Sequence, residues 1–218
     1  MTITPESVRE LLSSEDYGDR LRAVNQIRQL ELAPAFELAY TASQDTNTRV
    51  RYAALSQMDT LGPQDLPRAL ELLRDRLLND PEADVRAAAA DCLGALKQPE
   101  VLDELCQVYE RENEWLVQVS LIAALGELGD PKAIHLLTKA LASDTDLVRT
   151  AAVGALGELG NPEAVPLLVP FAQDPDWQMR YRVVQALGRL GGPEALSVLQ
   201  QMQNDESELV SREAKAHL

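Results

Sequence analysis

Apolar residues in this chain recur with a helical period nested inside a longer, fixed one. From Val148 they fall at Ala151, Ala152, Ala155, Leu156 and Leu159, offsets of 3, 4, 7, 8 and 11 that mark one face of an α-helix. Gly160-Asn161-Pro162 then ends the pattern. Glycine suits the position after a helix, and proline can open a helix but not continue one. A second helical stretch is predicted from about Glu163 to Ala172, with Leu167, Leu168 and Phe171 turned inward. The segments VQVSLIAALGELGDPKAIHLL from Val117 and VRTAAVGALGELGNPEAVPLL from Val148 are near copies, and Leu125, Leu156 and Leu187 follow at steps of 31 residues. A fixed period of this size means one supersecondary unit stacked on copies of itself. No segment alternates as a half-buried strand does.

Aligning the repeats on the apolar residue before a recurrent arginine gives Leu21, Val50, Val85, Val117, Val148, Met179 and Val210, with steps of 29, 35, 32, 31, 31 and 31. An acid precedes most of these anchors: Asp45, Asp80, Glu112, Asp144, Asp174 and Asp205. A carboxylate there accepts backbone N–H bonds at the start of a helix. The expected fold is therefore all-α: a right-handed α-solenoid of about seven helix-turn-helix repeats, its first helices lining the concave side. One domain is expected over 1–218, with an N-terminal cap over about 1–16 and an incomplete last repeat at 205–218. Ala- and Leu-rich composition with only 4% aromatic residues suits close helix packing.

The net charge of −15 changes the functional picture. Nucleic-acid affinity rests on Lys and Arg neutralising phosphates, so nucleic acid is excluded as a partner. An anionic membrane surface is disfavoured equally. A protein partner fits best. Cys92 and Cys106 are too few for a disulfide framework, the N-terminus MTITPESVRELL has no signal-peptide pattern, and no integral membrane segment is expected. These point to a cytoplasmic protein.

Candidate chemistry is sparse. There is no G-x-S-x-G, no glycine-rich phosphate loop, no H-E-x-x-H and no C-x-x-C. No catalytic residue and no metal site are expected: His135 and His217 read as ordinary imidazoles, and Cys92 takes a slot filled elsewhere by Ala124, Ala155 and Ala186. Arg22, Arg51, Arg86, Arg149 and Arg180, with Gln118 as the exception, read as a ladder in which each planar fork bonds a neighbouring repeat. On the first-helix face opposite the core, Tyr52, Trp115, Glu127, Glu158, Trp177, Tyr181 and Arg189 form a candidate binding column. Trp, Tyr and Arg dominate interface energetics. The alternative for Trp115 and Trp177 is a half-buried plug between helices.

The unit that stands best as Asp144…Val148-Arg149…Ala155-Leu156-Gly157-Glu158-Leu159-Gly160-Asn161-Pro162 resembles HEAT-like repeats of the kind found in phycobilin lyases. The segments Ser7–Leu30, Glu71–Lys97 and Asp176–Gly192 are similar to the cyanobacterial phycobilisome degradation proteins, themselves similar to bilin lyases of the E/F type. The resemblance implies a protein-binding scaffold that handles phycobiliprotein subunits or their open-chain tetrapyrroles. No cofactor is required by it, and the ligand it implies is phycocyanobilin. A bilin needs cations for its propionates and flat faces for its pyrroles, which Arg180, Tyr181 and Arg182, with Trp177 and Arg189 nearby, would supply. The remaining alternatives are a lyase-type protein that attaches or detaches the bilin, and a general scaffold unrelated to the antenna.

Overall fold

A computed structural model describes residues 2–218 as helices and the turns between them, with no strand among the described residues. The chain divides into two compact units, one ending at Leu96 and one comprising Lys97–Leu218.

The first unit begins with α1 (Pro5–Leu12), where Thr4 and Ser7 form a reciprocal capping box around Pro5. It continues through α2 (Tyr17–Ile27), α3 (Leu32–Ala42), α4 (Thr48–Leu55), α5 (Met58–Leu61), α6 (Leu66–Asn79) and α7 (Ala83–Ala95). Asp16 and Asn47 cap α2 and α4 with their side chains, satisfying amides that an N-terminus leaves without partners. The first helices α2, α4 and α7 pack in series, with α3 against α2 and α4, and α6 against α7. Ile27, Phe36, Leu55, Leu73 and Leu93 are fully buried between them. Each such side chain contributes about 1.5–3 kcal/mol of transfer free energy. The second repeat departs from the pattern: its first helix is broken at Ser56 and Gln57 into α4 and α5.

The second unit comprises α8 (Leu102–Tyr109), α9 (Trp115–Leu128), α10 (Ile134–Ala140), α11 (Asp146–Leu159), α12 (Val165–Leu168), α13 (Trp177–Leu190), α14 (Gly192–Met202) and α15 (Glu208–Ala216). Its first helices α9, α11, α13 and α15 pack side by side. They approach so closely that a Cβ on Gly126 would lie 2.7 Å from Cα of Ala155, and one on Gly157 would lie 2.7 Å from Cα of Ala186. The glycine of the A-L-G motif is thus a helix–helix clamp. Gly129 and Gly160, at φ 74° and 68°, turn the chain out of α9 and α11 in the left-handed conformation that side chains resist. The helix expected over 163–172 is instead the single turn α12 between 3-10 segments. Pro166 and Pro170 each lack the N–H that would continue an α-helix.

The arginine ladder holds at Arg20, Arg51 and Arg180, with one change of register, but not at Arg149, which bonds only within its own repeat. Arg51 Nη1 donates to the Asp45 and Thr46 carbonyls at 3.0 and 3.2 Å, and its other guanidinium nitrogens grip Asp80 of the next repeat at 2.8 and 2.9 Å. Arg180 repeats this with the Asp174 and Pro175 carbonyls and with Asp205. In the first repeat the role belongs to Arg20, which bonds the Ser14 and Glu15 carbonyls and Asp45. Arg22 pairs with Asp19 on the surface instead. The first step is therefore Arg20 to Arg51, 31 residues rather than 29. The receiving acids also cap the chain two residues on: Asp45 accepts the Asn47 amide, Asp80 that of Glu82 and Asp205 that of Ser207. Asp144 is not in this set, because Ser143 accepts the Thr145 amide in that repeat. Arg149 reaches the Ser143 carbonyl and Asp146.

Candidate functional site

An open trough of about 290 Å³ lies on the second unit, over the first helices α9, α11 and α13. Trp115, Val119 and Ala123 follow one another at four-residue spacing on one face of α9 and form its first wall. Leu147, Ala151 and Gly154 of α11 make the floor, with Glu158 further along the same helix. Trp115 and Leu147 are 48% and 54% exposed, well beyond what a core residue shows. The Arg182 stem packs over Gly154: a Cβ there would meet Cδ of Arg182 at 3.5 Å, an ordinary contact distance.

Arg182 brings the charge. It is exposed, donates to Oε1 of Gln185 at 3.2 Å, and has no carboxylate partner among the described residues. An aromatic wall, a small-residue floor and one such cation can hold a flat apolar group that carries a carboxylate, or the matching surface of a protein. This is a binding arrangement. No nucleophile with an adjacent base lies in it, and no group of three or more His, Cys, Asp or Glu placed to hold a metal occurs among the described residues.

The expected site residues separate. Trp115, Glu158 and Arg182 line the trough together. Arg189, outside the lining, reaches Glu158 at 3.1 Å as an ion pair, both side chains about half exposed. Tyr181 is turned away: its hydroxyl donates to Glu213 of α15 at 3.3 Å. Trp177, 41% exposed at the start of α13, and Glu127, exposed on α9, stand outside the trough lining. Tyr52, 46% exposed, belongs to the first unit. Arg180 is corrected outright as a ligand-facing cation. Its side chain is 7% exposed, and its guanidinium is held by Asp205 and Glu206. The hydrogen bonds it donates to Asp205 raise the Arg180 pKa further and fix its charge inside the ladder.

Leu147, Ala151 and Gly154 were not singled out by sequence. Only Gly154 carried a signal, standing 31 residues after Ala123; Leu147 and Ala151 lie one residue beyond Asp146 and Thr150, which hold the slots of Trp115 and Val119. The thiols add nothing to the trough. Burial pushes Cys92 up to about 12, and its Sγ donates to the Leu55 carbonyl at 3.3 Å. Cys106 is half-buried on α8. His135 is exposed on α10, and His217 lies 3.5 Å from Glu213.

The chain matches the HEAT-repeat family over residues 5–92, 70–156 and 146–218. No curated protein is significantly similar to it. Among solved structures it is similar to a chain from the CpcE–CpcF complex of phycocyanin lyase from Nostoc sp. PCC7120, at a TM-score of 0.66 and 22% identity, covering 100% of this chain and 96% of that one. It is also similar to the E. coli protein YibA, at a TM-score of 0.61 and 19% identity, covering 99% and 92%. At these identities the likeness is one of fold.

Proposed function

Because this chain belongs to the HEAT-repeat family, we propose that it is a protein-binding repeat scaffold whose docking surface is the Trp115–Arg182 trough. The partner class we infer is the phycobiliprotein subunit, and the setting is cytoplasmic handling or degradation of the light-harvesting antenna. The observation that carries this reading is the coincidence, in one trough, of exposed Trp115 and Leu147 with the unpaired guanidinium of Arg182. The full-length likeness of fold to a phycocyanin lyase chain supports the choice of partner class. No helix of the described residues is long and apolar enough to cross a membrane, which is compatible with that setting.

The test is affinity capture of purified phycobiliprotein subunits by the wild-type chain and by a Trp115→Ala, Arg182→Ala variant of unchanged melting temperature. Capture by the wild type and its loss in the variant are expected. Equal capture by both would remove the trough from the interface, and no capture by either would leave a scaffold for unrelated partners.

A second reading is favoured by Arg182 itself. A lone cation beside an aromatic wall suits a propionate-bearing open-chain tetrapyrrole such as phycocyanobilin. In that reading the chain positions the bilin, and attachment or detachment takes place on the phycobiliprotein cysteine. Mixing the protein with phycocyanobilin should then shift the visible absorption, and Arg182→Ala should abolish the shift.

A further inference from the structure

The glycine clamps of the second unit have a counterpart in the first that is built from the opposite kind of residue. Gly126 meets Ala155, and Gly157 meets Ala186, each pair 29 residues apart in sequence. With the register set by Arg20 and Arg51, the equivalent pair between α2 and α4 is Arg28 and Gln57, also 29 apart. Two long polar side chains occupy the point where the second unit has no Cβ at all and a methyl group. Close approach is impossible there. The first helix of the second repeat breaks at Ser56 and Gln57, and a cavity of about 450 Å³ opens, lined by both Arg28 and Gln57.

The lining is specific. Half-buried Leu30 and Leu32, 48% exposed, give the apolar surface that is reachable, with Ile27, Ala35 and Leu61 buried behind it. Gln57 is buried and spends its amide protons on the Val24 and Ala53 carbonyls at 3.0 and 3.2 Å, which fixes the broken segment. Asp59 also lines the cavity, and its Oδ1 accepts the Thr60 amide at 2.6 Å. The guanidinium of Arg28 has no hydrogen-bond or ion-pair partner among the described residues. The volume lies within the range of small-molecule sites, and such sites combine apolar walls with a few polar groups that fix orientation.

We propose that this cavity binds a small amphiphilic carboxylate, its head group on the Arg28 guanidinium and its apolar body against Leu30 and Leu32. A guanidinium is the side chain best matched to a carboxylate, through two parallel N–H···O bonds. Asp59 sets the sign of the remaining field: it disfavours a dianion and tolerates a single negative charge held by the arginine. The site is independent of the trough and of the function read from it.

Isothermal titration with octanoate, with 1-octanol as the uncharged control, tests this on the intact chain. Octanoate should bind, and octanol should bind about tenfold or more weaker, as the loss of a charge-assisted hydrogen bond requires. Arg28→Gln should weaken octanoate by a similar factor and leave octanol unchanged, whereas Asp59→Asn should leave octanoate binding unchanged or tighten it. An Arg28→Gly, Gln57→Ala variant, which restores the clamp of the second unit, should lose both ligands. Equal binding of octanoate and octanol, no octanoate binding, no effect of Arg28→Gln, or weakening by Asp59→Asn would each overturn the proposal. The octanoate–octanol comparison decides it on the wild-type chain, without any variant having to fold.

Discussion

Arg51 and Asp80, 29 residues apart in sequence, meet through two hydrogen bonds of 2.8 and 2.9 Å, and the Asp80 side chain is completely buried. One guanidinium thus closes the end of its own repeat through the Asp45 and Thr46 carbonyls and grips the next repeat through a carboxylate. That carboxylate in turn holds the Glu82 amide. A buried pair is a costly thing to break from one side, because the surviving charge keeps its desolvation penalty, offset here only in part by Arg76 at 3.4 Å. Arg51→Ala should therefore destabilise the protein by about 3–5 kcal/mol. Arg149, whose acid partner Asp146 is 85% exposed and whose remaining bond is to the Ser143 carbonyl, should cost less on truncation, about 1–2 kcal/mol. Urea unfolding of the two variants checks the contrast, and equal losses would show that the ladder carries no more stability than surface ion pairs.

The same rungs set the acid limit. Hydrogen bonding from Arg180 holds the Asp205 carboxyl below the usual carboxylate range. Burial pushes Asp80 and Asp45 up, but Arg51 and Arg20, with the capped amides, outweigh it and leave both carboxyls lowered as well. A lowered folded-state pKa means that the stabilisation is fully present above the ordinary carboxylate range and is lost as pH falls through the depressed values. The helical signal should accordingly survive to pH values below about 4 in the wild type. Replacing Arg51 with methionine should move the acid midpoint upward, and an unmoved midpoint would remove the ladder from acid stability.

Glycines with different neighbours should respond with opposite sign. Gly126→Ala drives a methyl group to within 2.7 Å of the Ala155 backbone and should cost about 1–3 kcal/mol through overpacking. Gly154→Ala meets only Cδ of Arg182 at 3.5 Å, in the interior of α11, and should stabilise by about 0.5–1 kcal/mol. Thermal melts of the two variants read the sign directly.

The repeat and the helical architecture were legible because a 31-residue period and an A-L-G-x-L-G-x-P ending are both written in the sequence. The first repeat was misregistered for a physical reason. Arg20 and Arg22 stand two residues apart on α2, and only the carbonyls of Ser14 and Glu15 decide which one is the rung. Arg180 and Arg182 posed the same problem on α13: a two-residue step turns a helical side chain by roughly 200°, so one arginine enters the ladder and the other leaves it. Composition cannot choose between them. The rung offset could have done so, since Arg180 already held the slot of Arg51. The cavity beside Arg28 was legible only after that register was corrected, because Arg28 falls in the glycine slot only when Arg20 is the rung.

The two arginines of α13 give the sharpest separation of architecture from site. Arg180, 7% exposed and bonded to Asp205, Glu206 and two carbonyls, should on truncation to alanine lower the melting temperature. Arg182 donates one hydrogen bond to Gln185 on its own helix, so Arg182→Ala should melt within a degree or two of wild type. Binding should divide the other way. At a temperature where both variants remain folded, Arg180→Ala should retain the partner or bilin that the trough holds, and Arg182→Ala should lose about tenfold or more in affinity. Each repeat of a solenoid touches only its neighbours, so hydrogen exchange in the Arg180→Ala variant should quicken in α13 and α15 and stay slow in α9. If Arg180→Ala abolished binding while its melting curve stayed that of the wild type, the ladder and the binding surface would be one and the same, and the trough would not be the site.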